Sequence, residues 1–482
     1  MTSDRPRKIA IIGGGITGLA AAHRCMTRSP AAEMTLFEGS DRLGGIIHTR
    51  RQEGYLLELG PDSFITNKPG GVQLCEDSGF TDQLIPTDNT YRRSLVLHNG
   101  RPAPVPDGFM LMAPANHRAI IETPVLSFAG RLRLLAEAAI PPRMDNPDET
   151  LASFVTRRFG PEALERLVQP LVGGIYTSDP EKLSLRATLP RFLEMEAEFG
   201  SVINATKRQR QVRGPDIDSS GSGARYGLFT TPRDGLSSLI DHLAGQLRQH
   251  ETTSIRLGTP VASVRANSPD SGWQLHPAGA ATPESFDEII ITLPAYRAAS
   301  VICETRQTAE LAELRTLLSG IEYASSAIVV TGHRLADFEH PLDAFGLVIP
   351  LVERRRILAT SFTSRKFARR APDGSILLRT FVGGAMQSEL LQAPDEDIAA
   401  MVHEELTDIL GMRQPPQFSE VVRYQQAMPQ YHLGHLERVD RIETLIAGTP
   451  GLHVAGSAYR GVGIPDSIAS GRAAADAALG LS

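Results

Sequence analysis

Cysteine is scarce in this chain: three in 482 residues, Cys25, Cys75 and Cys303. They are odd in number and far apart, so neither a disulfide framework nor a zinc spacing is on offer, which fits a reducing, cytoplasmic setting. Long apolar runs are missing too. No window holds eighteen uninterrupted apolar residues, so no membrane-spanning helix is expected; peripheral seating on a membrane needs only an apolar patch and stays open. The opening "MTSDRPRK" carries no secretory-signal pattern. Positive charge is not in excess. The net charge of −6 argues against a general nucleic-acid binder. No repeat of fixed period stands out. Ser457 lacks a Gly-x-Ser-x-Gly context, and no Ser-His-Asp arrangement is evident, so no catalytic side chain is assigned. His432 and His435 are spaced to share a helical face, but no third ligand is near them and no metal site is expected.

What is abundant is glycine, and it is concentrated at both ends. "KIAIIGGGITGLAAAHRCM" (8–26) reads as a buried parallel strand, a glycine turn and a small-residue helix, and "MTLFE" (34–38) as the next strand. Gly13, Gly15 and Gly18 have the Gly-x-Gly-x-x-Gly spacing of a dinucleotide site. The first glycine permits the tight turn, the second admits a pyrophosphate, and the third lets helix and strand pack closely. Glu38 follows about twenty residues on, placed to accept from ribose hydroxyls and to repel a 2′-phosphate. A second strand–turn–helix, "GLHVAGSAYRGVGIPDSIASGRAAA", spans 451–475.

Between these ends, residues 107–211 are mostly helical in pattern, with Thr150 a helix start and Asp148 and Glu149 favourable charges beside it. Residues 212–225 are rich in Gly, Ser and Pro and read as a linker. Segments 255–264, 288–293, 327–332, 345–350, 357–363 and 375–382 read as strands, and 395–412 as a helix. The apolar loop "VPDGFMLMAPAN" (105–116) reads as exposed, either a membrane-seating patch or the lip of a channel. The basic runs "ERRRIL" and "SRKFARR", within 353–370, read mainly as solvated faces. The order suggests an α/β (mixed α+β) protein whose nucleotide-binding domain is interrupted by inserted domains.

"EGSDRLGGII" (38–47) places Arg42 before a glycine pair, Gly44 and Gly45. Together with the first glycine loop it resembles the flavoprotein family of amine oxidases, phytoene desaturases and protoporphyrinogen oxidases. "LVQPLVGGIYTSDPEKLSLRATLPRF" (167–192) resembles the same segment of the HemY-type porphyrinogen oxidases, as do "YLLELGPDSF" (55–64), "FVGG" (381–384), "MPQYHLGH" (428–435) and the final segment, in order along the chain. No aromatic cage for an amine is apparent.

The resemblance implies a Rossmann-like FAD-binding domain made of 1–86, 226–297 and 424–482. It also implies a substrate-binding mixed-sheet domain of 87–106, 212–225 and 298–423, and a helical domain of 107–211, the part that docks on membranes in many relatives. For FAD it implies Gly13, Gly14, Gly15, Ile16, Thr17, Gly18, Glu38, Gly39, Arg42, Gly44, Gly45, Ile46, Gly60, Pro61, Asp62, Ser63, Val261, Val462, Gly463 and Ile464. Ile46 stands where many relatives have arginine. For substrate it implies Arg93 (or its neighbour Arg92) on a propionate, Phe381 and Val348 against pyrrole rings, and Gly174 offering backbone. Asp62 is expected to orient pyrrole N–H groups and Lys68 to pair a propionate. Ser361 replaces a common leucine, making that pocket more polar. The implied reaction oxidises protoporphyrinogen IX or coproporphyrinogen III, with a slight lean to the former, in haem biosynthesis. FAD would be the cofactor and O2 the acceptor, and H2O2 would be released. The next enzyme of haem synthesis, a membrane surface and a second copy of the chain are its open partners. Two other readings stay open: another oxidase or desaturase of the superfamily, and a flavin- and porphyrin-binding protein without turnover.

Overall fold

A computed structural model describes residues 5–114, 116–143, 148–213, 229–267, 272–303 and 309–481. The first strand, Lys8–Ile12, is apolar at every position after its first, because both faces of its sheet are covered. Ile9 and Ile11 pack into one core and Ala10 and Ile12 into another. The sheet is five-stranded and parallel, in the spatial order 253–256, 33–37, 8–12, 288–291 and 452–454. One face carries the helices Ile16–Arg28, Ser237–Gln249 and Ile464–Leu479. The other carries Ala295–Val301, Ala309–Ser319, His435–Ala447 and a three-stranded antiparallel sheet of 261–286. Strand order reverses beside the first strand, and ligands of open α/β sheets bind at that crevice.

A seven-stranded sheet has the order 418–429, 323–334, 375–383, 359–362, 346–348, 95–98 and 101–104. Helix Asp395–Leu410 covers one face through Ile398, Val402, Leu406 and Ile409. The other face is turned toward the parallel-sheet unit and the helical block. The domain boundary expected at 424 falls inside strand Phe418–Pro429, and helices 295–301 and 309–319 pack on the parallel sheet.

In the helical block, Thr150 caps helix Leu151–Phe159 by accepting from Ser153 N at 3.1 Å, as its sequence position suggests. A buried ion-pair network joins the block: Arg158 meets Glu137, both side chains fully buried, and Arg157 bridges Glu149 and Glu196 at 2.6 Å each. The 105–116 loop is not an exposed patch. Val105, Phe109, Met112 and Ala113 are buried in the helical core, because the chain folds back there as a short antiparallel pair. The expected linker at 212–225 lies, after its first two residues, outside the described residues. No helix among the described residues is long and apolar enough to cross a membrane.

Candidate functional site

The two glycine-rich ends meet. Gly13 turns the chain out of the first strand with φ of +111°, a left-handed conformation that disfavours side chains. A β-carbon on Gly18 would lie 1.9 Å from Gly13 O, so only glycine lets the helix come this close. Around Gly15, by contrast, a β-carbon would meet nothing within 4 Å, and the helix that starts there has no side-chain cap. An open space facing uncapped N–H groups at a helix N-terminus suits a pyrophosphate. Glu38 accepts from Gly14 N at 2.7 Å and from Ser40 N and Oγ at 2.8 Å, which shapes the loop at the end of the second strand. Gly44 N donates to Gly14 O at 2.8 Å, and Arg42 ties its own loop through Leu43 O, Gly45 O and Ile47 O. Glu38 bonds the backbone of Arg256 and Thr259, and Gly39 touches Pro260, which brings Val261 beside them.

Gly60 is packed so tightly on Ile46 that a β-carbon would lie 1.8 Å from Ile46 O. Further along, Gly70 meets Pro465 O, 2.3 Å from where its β-carbon would be. The turn Gly60–Ser63 therefore packs on the Arg42–Ile47 loop, which bridges to Gly15 through Gly44, and the helix that follows it, Pro69–Asp77, meets the start of the last helix at Pro465. Tyr431 pins the closing segment that leads into Val462–Ile464: its hydroxyl donates to Ser457 O at 2.7 Å and accepts from Gly461 N at 2.8 Å. These features fit a dinucleotide whose far end reaches the closing segment.

The substrate residues come from the facing sheet. Val348 pairs with Ala359, and Ala359 with Phe381, in one cross-strand row. Cross-strand partners share a face, and strands lie about 4.8 Å apart, so Val348 and Phe381 stand about 10 Å apart with small Ala359 between them. Val348 and Val462 both border the helical core. Ser361 and Arg379 form the next row on that face. Gly174 lines a cleft at the ends of these strands, with Gly173, Thr177, Leu358 and Gly384, just after a π-turn at Leu164–Val168. Such turns often mark functional helices.

The charged groups expected at the site each have a partner within the chain. Asp62 does not present a free carboxylate: Lys366 Nζ reaches it at 3.0 Å and Arg379 Nη1 at 3.2 Å, and these cations hold it well below the usual carboxylate range although burial opposes them. Lys68 is engaged by Asp466 at 2.7 and 2.8 Å. The basic run is no solvated face throughout, since Lys366 and Arg370 are buried. Arg93 is exposed and pairs with Asp343, while Arg92 bonds Asn89. His432 and His435 share no helical face: the helix begins at His435, whose ring stacks on Tyr431 at 3.8 Å and reaches Tyr459 O. Sequence reasoning missed Ala359, Tyr431, Lys366 and Arg379. Only Arg379 left a signal, a lone charge inside the apolar strand "SILLRTFVG".

Comparison with known proteins agrees with this geometry. Residues 16–479 match the model of the flavin containing amine oxidoreductase family. The chain is 33% identical to coproporphyrinogen III oxidase of Bacillus subtilis (strain 168), over 99% of both chains. It is 31% identical to coproporphyrinogen III oxidase of Staphylococcus aureus, over 98% of both. The crystal structure of a candidate protoporphyrinogen oxidase from Exiguobacterium sp. 255-15 superposes with a TM-score of 0.84, 28% identity and 99% coverage of both chains. With a glycine cradle built from both ends of the chain and a full-length match, this protein belongs to the flavin-containing amine oxidoreductase family.

Proposed function

We propose that the protein oxidises a porphyrinogen, coproporphyrinogen III, to the corresponding porphyrin in haem biosynthesis, with FAD as cofactor and O2 as acceptor. The observation that carries the reading is the row Val348–Ala359–Phe381, an apolar stretch of one sheet face in which small Ala359 lies between two larger side chains whose strands are about 10 Å apart. A bulky apolar macrocycle has room over such a row, and full-length relatives carry the name coproporphyrinogen III oxidase. Ser361, in the next row, gives the pocket a polar edge that suits a substrate rich in propionates.

Bound FAD would supply the electron-accepting ring; Gly13–Gly18 and Glu38 would hold its phosphates and ribose, and Val462–Ile464 its ring end. The chain's own work is then positioning and exclusion of water. Val348 and Phe381 hold the macrocycle on its two sides, and Ala359 leaves room for it. Arg93 exchanges Asp343 for a propionate. Each two-electron round passes two electrons and two protons to O2, forming H2O2, until the macrocycle is fully conjugated.

The test feeds the purified protein freshly reduced coproporphyrinogen III and protoporphyrinogen IX in air, following porphyrin fluorescence and peroxide against an enzyme-free control. Faster coproporphyrin formation with matching peroxide supports the reading. Preference for protoporphyrinogen corrects the substrate, and acceleration of neither, with FAD bound, overturns the reaction.

A further inference from the structure

Where the hairpin of strands Thr49–Gln52 and Tyr55–Glu58 packs on the seven-stranded sheet lies a set of buried charges that does not balance. Lys366, Arg370 and Arg379 are buried, with relative exposures of 9%, 0% and 3%. They face two carboxyl groups, Asp62 and fully buried Glu58. The parts interlock. Lys366 Nζ donates to both oxygens of Asp62 and, at 3.0 Å, to Ser63 Oγ, which itself donates to Asp62 at 2.7 Å. Arg379 pairs with Asp62, donates to Gly60 O and lies 5.5 Å from the Phe381 ring centroid. Its Nε has no hydrogen-bond partner among the described residues. Arg370 donates to the carbonyls of Arg233 and Pro232 and to the Thr231 hydroxyl, while its Nε has no hydrogen-bond partner and it makes no ion pair among the described residues. Glu58 accepts from Thr49 Oγ1 and Leu236 N.

Even with both carboxyl groups ionised, one positive charge is left over. An unbalanced buried charge is costly unless something nearby returns the difference. The two cations that touch Asp62 back the Gly60–Ser63 turn, which packs through Gly60 on Ile46, in the loop that bridges to Gly15 of the first glycine loop through Gly44. Taking up two electrons and one proton leaves a flavin ring with one more negative charge than before, and buried charges act on one another at high strength because little water screens them.

We propose that the Lys366–Asp62–Arg379 cluster is a fixed positive field that raises the reduction potential of the flavin and so helps draw electrons from the substrate. This rests on the flavin reading above. Lys366 and Arg379 are positioning residues, contacting the turn rather than the reacting atoms.

The experiment measures the midpoint potential of the FAD-loaded protein by dye equilibration, for wild type, Lys366→Met, Lys366→Arg and Asp62→Asn. Lys366→Met removes a cation and is expected to shift the two-electron equilibrium about tenfold against reduction, about 30 mV downward. Lys366→Arg keeps the wild-type value. Asp62→Asn, which removes the anion, shifts it the opposite way. A loss of packing alone would not produce shifts of opposite sign. Should Lys366→Met fold poorly, Lys366→Gln keeps donors toward Asp62 and Ser63 and gives the same reading. Protein that binds no FAD overturns the flavin reading itself. FAD bound normally, with potentials moved less than twofold in equilibrium or all in one direction, overturns this inference alone.

Discussion

Gly471, in the last helix, faces the carbonyl oxygen of Thr17, in the first, so closely that a β-carbon on it would lie 2.2 Å from that oxygen. The two helices also share a bidentate pair, Arg24 with Asp476, at 2.8 and 2.9 Å. The ends of the chain are thus one packed unit. Gly471→Ala must push backbone apart and is expected to lower stability by about 1–3 kcal/mol. Gly245→Ala, in a helix with open space around it, should instead gain a few tenths to about 1 kcal/mol. Denaturant melts of the two variants check the contrast.

Gly15 separates binding from folding. Its alanine variant has room in the free protein, so the melting temperature without cofactor stays near wild type. The added methyl occupies the space assigned to the pyrophosphate, and FAD affinity should fall at least tenfold. Fluorescence titration of the apoprotein reads this directly.

On the proposed function, small Ala359 leaves the room that a macrocycle takes between Val348 and Phe381. Ala359→Leu fills the gap between Val348 and Phe381 while leaving the sheet's hydrogen bonds in place. FAD content should be unchanged and kcat/KM for porphyrinogen should fall by at least tenfold. Steady-state kinetics alongside flavin absorbance checks it.

Arg93 is exposed, and its pair with Asp343 contributes little to stability, about 0–1 kcal/mol. Arg93→Ala should keep its melting temperature and its FAD and raise KM several-fold. An unchanged KM removes Arg93 from the substrate site.

Glu58 makes stability depend on pH. Burial pushes its carboxyl from 4.5 up to about 7, although Thr49 and Leu236 bond it and Arg370 and Arg379 lie near. The folded state therefore holds this proton better than the unfolded chain does. Stability is lost as pH rises from about 4.5 to about 7, and the loss is complete above. Glu58→Gln removes the effect, so its advantage over wild type should grow between pH 5 and pH 8, by up to about 3 kcal/mol. Melting curves across that range test the sign.

The legible parts of the fold are those where one local rule decides. Lys8–Ile12 is apolar because it is covered on both sides, and Thr150 caps because the next helix needs an acceptor. The strand Phe418–Pro429 escaped notice because it is an edge strand, half-exposed along most of its length and carrying Arg423, Gln425 and Gln426. Residues 255–264 read as one strand, but the Leu257–Pro260 turn divides them between two sheets. In the site, the glycine spacing revealed the cradle. Of the charge cluster only Arg379 showed, as a lone charge in an apolar strand; Lys366 looks like a surface charge until the fold brings Asp62, some three hundred residues earlier, against it.

The parallel sheet has a consequence for biosynthesis. Its strand 452–454 lies at one edge, against 288–291, and the helix after it packs on the first helix. A nascent chain emerging from the ribosome can form the first strand–helix–strand early, and helix Ser237–Gln249 covers part of its apolar helix face about halfway through synthesis, but helix Ile464–Leu479 completes the cover only near the end. The N-terminal unit is therefore incompletely buried through most of synthesis, an interval in which exposed apolar surface favours aggregation. Removal of residues 452–482 should therefore yield an aggregation-prone, flavin-free product rather than a weakened enzyme.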